Sequence, residues 1–173
     1  YDFATKVLPG ALGRLLSAAQ PGHLLGTEVD IGRHIVVQGP VDNIRALAQD
    51  HTLIFAPTHL SNLDSPLIGY ALYSAKIPPC IYGAGLNLFS NPAMAFFMSR
   101  LGAYTIDRRK KLRLYKDVLK DYSIEAIRNR CHSLFFPGGT RSRSGRIESN
   151  IKKGLLGTAI TAWQEGLANG SPN

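Results

Sequence analysis

Apolar positions recur along this chain in short runs that switch between two periods. Over residues 2–19, Val7, Leu8, Ala11, Leu12, Leu15 and Leu16 fall at helical spacing with Lys6 and Arg14 between them. This predicts an amphipathic helix interrupted near Pro9-Gly10, one that packs on a core or lies in a membrane interface. Residues 34–38 are a β-branched run closed by Gly39-Pro40, the pattern of a strand and a turn. Asp42 then caps a short helix to about Gln49, and residues 52–57 form an apolar run of the buried-strand kind. The next helix starts at Asp64 or Ser65, with Pro66 in its first turn, and ends near Lys76.

The second half repeats the alternation. Residues 80–82 are a brief strand entering Gly83-Ala84-Gly85. Asn91-Pro92 opens a helix that ends near Leu101-Gly102, and residues 103–106 are a strand. A long charged helix follows over 112–130, with Leu112, Tyr115, Leu119, Tyr122 and Ile127 as its buried positions. Residues 133–136 form a strand opening into Pro137-Gly138-Gly139, and residues 151–166 a last helix. Strands and helices in strict alternation predict an α/β fold, a central and mostly parallel sheet flanked by helices. In such sheets ligands bind beyond the carboxyl ends of the strands, where this chain places its polar and glycine-rich segments. The organisation expected is an N-terminal amphipathic helical segment over 1–30 and one α/β domain over 31–173, truncated at its C-terminal end.

Composition narrows the classes. With 45% apolar and 18% charged residues over 173 positions, the chain has the make-up of a globular domain, not of a disordered or fibrous one. Cys80 and Cys131 make neither a disulfide framework nor a metal-ligand cluster. The charge-free stretch over 77–99 is long enough to span a bilayer. However, it carries three prolines and two glycines, which a lipid-exposed helix does not tolerate. The net charge of +8 is one-sided: residues 100–153 hold fifteen Lys/Arg against five Asp/Glu, a net of +10, while the remainder is at −2. That excess points to an anionic partner: a phosphate ligand, lipid headgroups or nucleic acid. No nucleic-acid-binding motif or aromatic platform accompanies it, so nucleic acid is not expected.

Three segments carry candidate chemistry. In Thr58-His59-Leu60-Ser61-Asn62-Leu63-Asp64, a strand-to-helix turn separates His59 from Asp64 by five residues. A carboxylate on one ring nitrogen fixes the tautomer and leaves the other to take a proton from a hydroxyl. The plainer alternative is that Asp64 only caps the helix and His59 is a loop residue. In residues 102–111 a strand ends in Arg108-Arg109-Lys110-Lys111, where arginine suits phosphate recognition and the lysines suit a solvated loop. In residues 135–146, glycines let backbone N–H groups approach an anion, Thr140 and Ser142 add hydroxyls and Arg141 adds a fork.

Taken together, these segments resemble the glycerolipid acyltransferases, the glycerol-3-phosphate and 1-acylglycerol-3-phosphate (lysophosphatidate) enzymes of the HxxxxD type. HLSNLD is similar to their first motif, GAYTIDRR to their second and FPGGTRS to their third, usually FPEGTRS, in the same order over residues 53–156. The resemblance implies a glycerol-3-phosphate acyltransferase-like fold. It also implies transfer of a fatty acyl group from acyl-CoA or acyl carrier protein to a hydroxyl of glycerol-3-phosphate or lysophosphatidate in phospholipid synthesis. His59 would be the general base and Asp64 its orienting carboxylate. Arg108 and Arg141 would hold the acceptor phosphate, with Gly139, Thr140 and Ser142 lining the pocket. No metal and no cofactor beyond the thioester co-substrate is implied. Lys110, Lys111, Arg143, Arg146, Lys152 and Lys153 would be available to CoA phosphates, a carrier protein or an anionic membrane surface. The expected place is the cytoplasmic face of a membrane, peripheral or anchored by segments outside this chain. Gly138 stands where the family usually has Glu. That departure keeps open a catalytically degenerate domain that binds anionic lipid or a protein partner.

Overall fold

A computed structural model of the protein describes residues 10, 35–61, 64–90, 92–142 and 151–170. Among the described residues the order is α1 (Val41–Asp50), β1 (Ile54–Phe55), α2 (Asp64–Ser74), β2 (Ile81–Gly85), a single 3-10 turn (Leu86–Phe89), α3 (Pro92–Arg100), β3 (Ala103–Ile106), α4 (Arg113–Arg128), β4 (Ser133–Leu134) and α5 (Lys153–Ala168). The predicted α/β fold is present. The four strands form one parallel sheet in the order β1-β4-β2-β3. The last strand is therefore inserted between the first two. Backbone bonds outside the short ladders tie it in: Ser133 N–H donates to Leu53 C=O, Phe135 N–H to Phe55 C=O and Ile81 N–H to His132 C=O.

Helices cover both faces. On one, Ala48 of α1, Leu72 of α2 and Met98 of α3 close over Tyr82, Ala84 and Leu134. On the other, Ile127 of α4 and Ala162 of α5 close over Phe135 and Ile54. Successive side chains of a strand point to opposite faces, so Leu134 and Phe135 each anchor a different layer. Each such apolar side chain contributes about 1.5–3 kcal/mol when fully buried.

Several expectations change. Residues 35–38 form no strand, and position 34 lies outside the described residues. Val36 is 74% exposed, and Ile35 is half-buried in an apolar cluster that also takes in Tyr70 and Leu101. Gly83-Ala84-Gly85, expected to follow the brief strand over 80–82, instead completes β2. A Cβ on Gly83 would collide with the Ile106 side chain on β3, so the glycine allows the close packing of the two strands. On α4, Ile127 is buried as expected, but Leu112 and Tyr122 are 73% and 50% exposed, and Ser123 is buried instead. Its hydroxyl meets that of Thr158 at 2.8 Å, a small polar contact that lets α4 and α5 approach closely. The amphipathic helix expected over 2–19 lies outside the described residues apart from Gly10. No helix among the described residues is long and apolar enough to cross a membrane.

Candidate active site

The site is built on the loops that leave the carboxyl ends of the strands. β1 runs out through Pro57 and Thr58 to His59, and α2 begins at Asp64. His59 Nδ1 lies 2.7 Å from Asp64 Oδ2. The same oxygen accepts the N–H groups of Leu60 at 2.7 Å and Ser61 at 2.9 Å. A carboxylate in a first helical turn is also favoured by the helix dipole. Asp64 therefore does more than end a helix: it closes the loop and fixes the imidazole together. Partial burial alone would raise the Asp64 carboxyl, but the hydrogen bonds from Ser61, His59 and Leu60 outweigh it and hold the group below the usual carboxylate range. Since an ionised carboxylate only accepts, Nδ1 carries the proton and Nε2 is the basic nitrogen.

The insertion of β4 beside β1 brings the third motif against His59. The imidazole stacks on the Phe136 ring at 4.2 Å between centroids and 30° between planes. Such ring pairs contribute about 0.5–1.5 kcal/mol beyond the area they bury. Ser142 N–H donates to His59 C=O at 2.7 Å, fastening the end of that motif to the histidine loop. Gly139 makes the turn between them at φ +65°, with its N–H donating to Phe136 C=O. This is left-handed backbone that glycine adopts without steric cost.

From β3 comes the cationic side. Arg109 hydrogen-bonds the Asp107 carboxylate through Nε at 3.1 Å and through its own N–H at 3.0 Å, which holds the Asp107 carboxyl below its usual range. That commits Arg109 to structure and leaves Arg108 on the wall of a cavity of about 480 Å³, shared with His59, Lys110, Lys116, Gly139 and Lys152. The structure thus brings His59, Asp64, Arg108 and Gly139 together. Thr140 and Arg141 are exposed, and neither they nor Ser142 line this cavity. Lys116 carried no signal in the sequence beyond its place on a charged helix. The Phe136 stack was written in the third motif but only topology reveals its partner.

A parallel α/β sheet with a histidine–carboxylate pair at its carboxyl ends, opening into a cation-lined cavity, defines a domain suited to proton transfer on an anionic substrate. Sequence comparison makes the class specific: the chain belongs to the acyltransferase family, whose model, described as Acyltransferase, matches residues 38–169. It is similar to a "Glycerol-3-phosphate acyltransferase" of Haemophilus ducreyi, at 38% identity over 128 residues covering 73% of this chain and 16% of that protein. Its fold is similar to that of the 1-acyl-sn-glycerophosphate (LPA) acyltransferase PlsC from Thermotoga maritima. That match has a TM-score of 0.51 and 18% identity, over 93% of this chain and 66% of that one. The chain therefore spans less than two thirds of each relative's length.

Proposed function

We propose that the domain transfers an acyl group from a thioester, acyl-CoA or acyl carrier protein, to a hydroxyl of glycerol-3-phosphate or lysophosphatidate. The observation that carries this reading is the 2.7 Å contact of His59 Nδ1 with Asp64 Oδ2 at the mouth of a cationic cavity. His59 Nε2 takes the hydroxyl proton as the acceptor oxygen attacks the thioester carbonyl. A C–O bond forms, the C–S bond breaks, and the imidazolium returns the proton to the departing thiolate. Asp64 keeps the tautomer and balances the imidazolium. Arg108 holds the acceptor phosphate, and Gly139, Thr140, Arg141 and Ser142 frame the turn opposite His59. The thioester is already activated, so the step needs no metal and no further cofactor.

The domain works at the anionic surface of a membrane, on its cytoplasmic face. In support, Leu112 and Leu114 are 73% and 76% exposed and alternate with Lys111 and Arg113, a pattern that meets both headgroups and acyl chains. Gly138, in place of an acidic residue, favours the second reading, a domain that binds lipid or protein without turnover. Incubating the purified protein with labelled acyl-CoA or acyl carrier protein and a panel of acceptors separates the two. Product with glycerol-3-phosphate or lysophosphatidate supports transfer. Salt-sensitive vesicle binding with no product from any acceptor supports the second reading.

A further inference from the structure

We propose that Lys116 and Lys152 join Arg108 to form the phosphate-holding wall of the cavity, and that Gly139 serves to admit the Lys152 side chain. The proposal rests on the acyl-transfer reading for the identity of the ligand, a phosphate monoester, but the wall itself follows from the arrangement of charge. The three cations come from three separate segments, the β3 exit, the first turn of α4 and the residue before α5, yet all face the cavity that His59 lines.

Their charge is uncompensated among the described residues. The carboxylate on the cavity wall, Asp107, is taken up by Arg109, and no described acidic group pairs with Arg108, Lys116 or Lys152. The fourth cation, Lys110, lies beside Asp107 and 5.2 Å from the centre of the Tyr115 ring, so it has partners of its own. Cations that line one cavity repel one another, and a bound anion offsets that repulsion. A doubly charged phosphate with several acceptor oxygens matches three donors better than a single carboxylate does.

Gly139 ties the wall to the third motif. Lys152 N–H donates to Pro137 C=O at 2.7 Å, which places its side chain across the turn. A Cβ on Gly139 would come 2.6 Å from Lys152 Cδ and 3.2 Å from Nζ. Any larger residue there would push the ammonium group off its path, whatever it did to the backbone.

The test compares Lys116→Met, Lys152→Met, their double variant and, as a control, Lys120→Met, whose exposed residue does not line the cavity. Two readouts are taken: calorimetric titration with inorganic phosphate and with glycerol-3-phosphate, and separate KM values for acceptor and acyl-CoA. Losing one charge-assisted contact should weaken phosphate binding and raise acceptor KM about tenfold, and the double variant about a hundredfold. The acyl-CoA KM should stay level, kcat should change less than about threefold, Lys152→Arg should recover most of the loss, and Lys120→Met should match wild type. Unchanged phosphate binding in the double variant, or a rise confined to the acyl-CoA KM, would overturn the proposal while leaving acyl transfer intact. Conversely, a protein that transfers no acyl group yet loses phosphate binding in both lysine variants would retain the anion wall and sink the transferase reading. For Gly139, the Gly139→Ala/Lys152→Met double variant should bind phosphate no more weakly than Lys152→Met alone. Additive losses would overturn its assigned role.

Discussion

Asp64→Asn isolates the charge at the centre of the candidate site. The substitution keeps the side chain's size and leaves an oxygen for the donors that reach Oδ2, His59 Nδ1–H at 2.7 Å, Leu60 N–H at 2.7 Å and Ser61 N–H at 2.9 Å. A hydrogen bond to a charged group contributes about 1.5–3 kcal/mol and a neutral one about 0.5–1.5, so each contact weakens by about 1 kcal/mol. The Asp64 side chain is 16% exposed, and water recovers part of that loss. The expected cost at pH 7 is therefore about 1–2 kcal/mol in unfolding free energy rather than the full ~3. The sign of the pH dependence follows from the depressed carboxyl. Its folded value lies below the ordinary 3.8, so the stabilisation is complete above that pH and disappears as pH falls through the folded value. Urea unfolding at pH 7 and between pH 5 and 3 should show a lower midpoint for the variant and a shallower acid limb. For turnover, an imidazolium and a carboxylate about 4 Å apart attract by about 4 kcal/mol at an effective dielectric of about 20. Losing most of that at the transition state predicts transfer slower by about 10²–10³. A variant with wild-type turnover, or with the same midpoint at pH 7 and the same acid limb, would mean that the Asp64 charge supports neither the imidazolium nor the loop.

Three further outcomes follow from residues away from the pair. His132 is buried, its Nδ1 accepts Leu53 N–H at 3.2 Å, and its Nε2 has no partner among the described residues. Burial, with Arg130 nearby, pushes the imidazole below 6.5, so stability should fall as pH drops through about 6.5. His132→Asn, which keeps an acceptor for Leu53, should remove that slope in urea midpoints, and identical slopes would contradict it. Gly102 sits at φ +83° with its missing Cβ 2.5 Å from Cys80 C=O, so Gly102→Ala should cost about 2 kcal/mol or more. A loss under about 0.5 kcal/mol in denaturant titration would refute that strain. Burial pushes the Cys80 thiol up to about 12, whereas Cys131 is half-buried. A thiol reagent at pH 8 should therefore label Cys131 in the native protein and Cys80 only after unfolding, and rapid native labelling of Cys80 would be the contrary result.

Periodicity made the alternation of elements legible because each helix buries a stripe and each strand a short apolar run. The strand over 103–106 and the helix opening at Pro92 are found where the sequence places them. The pairing of His59 with Asp64 was one of two open readings of a five-residue spacing. What decides it is the loop's backbone, which turns the N–H groups of Leu60 and Ser61 onto the same carboxylate oxygen. Residues that depend on long-range partners were not legible. Gly83 shows no sign of its packing role until β3 is placed beside it, and Ser123 none until Thr158 meets it. The insertion of β4 between β1 and β2 leaves no local mark, yet it sets Phe136 under the His59 ring and carries Gly139 to Lys152. Motif spacing singles out Arg141, which is exposed and does not line the cavity, while Lys116 and Lys152, which do line it, stand outside the three motifs.

Single-turnover transfer from labelled acyl-CoA to glycerol-3-phosphate, by wild type and by His59→Ala, measures whether His59 removes the acceptor's proton. Losing a positioned general base predicts a rate lower by about 10²–10⁴ in a variant that still unfolds cooperatively. A folded His59→Ala protein that transfers the acyl group at the wild-type rate would mean that His59 is not the base.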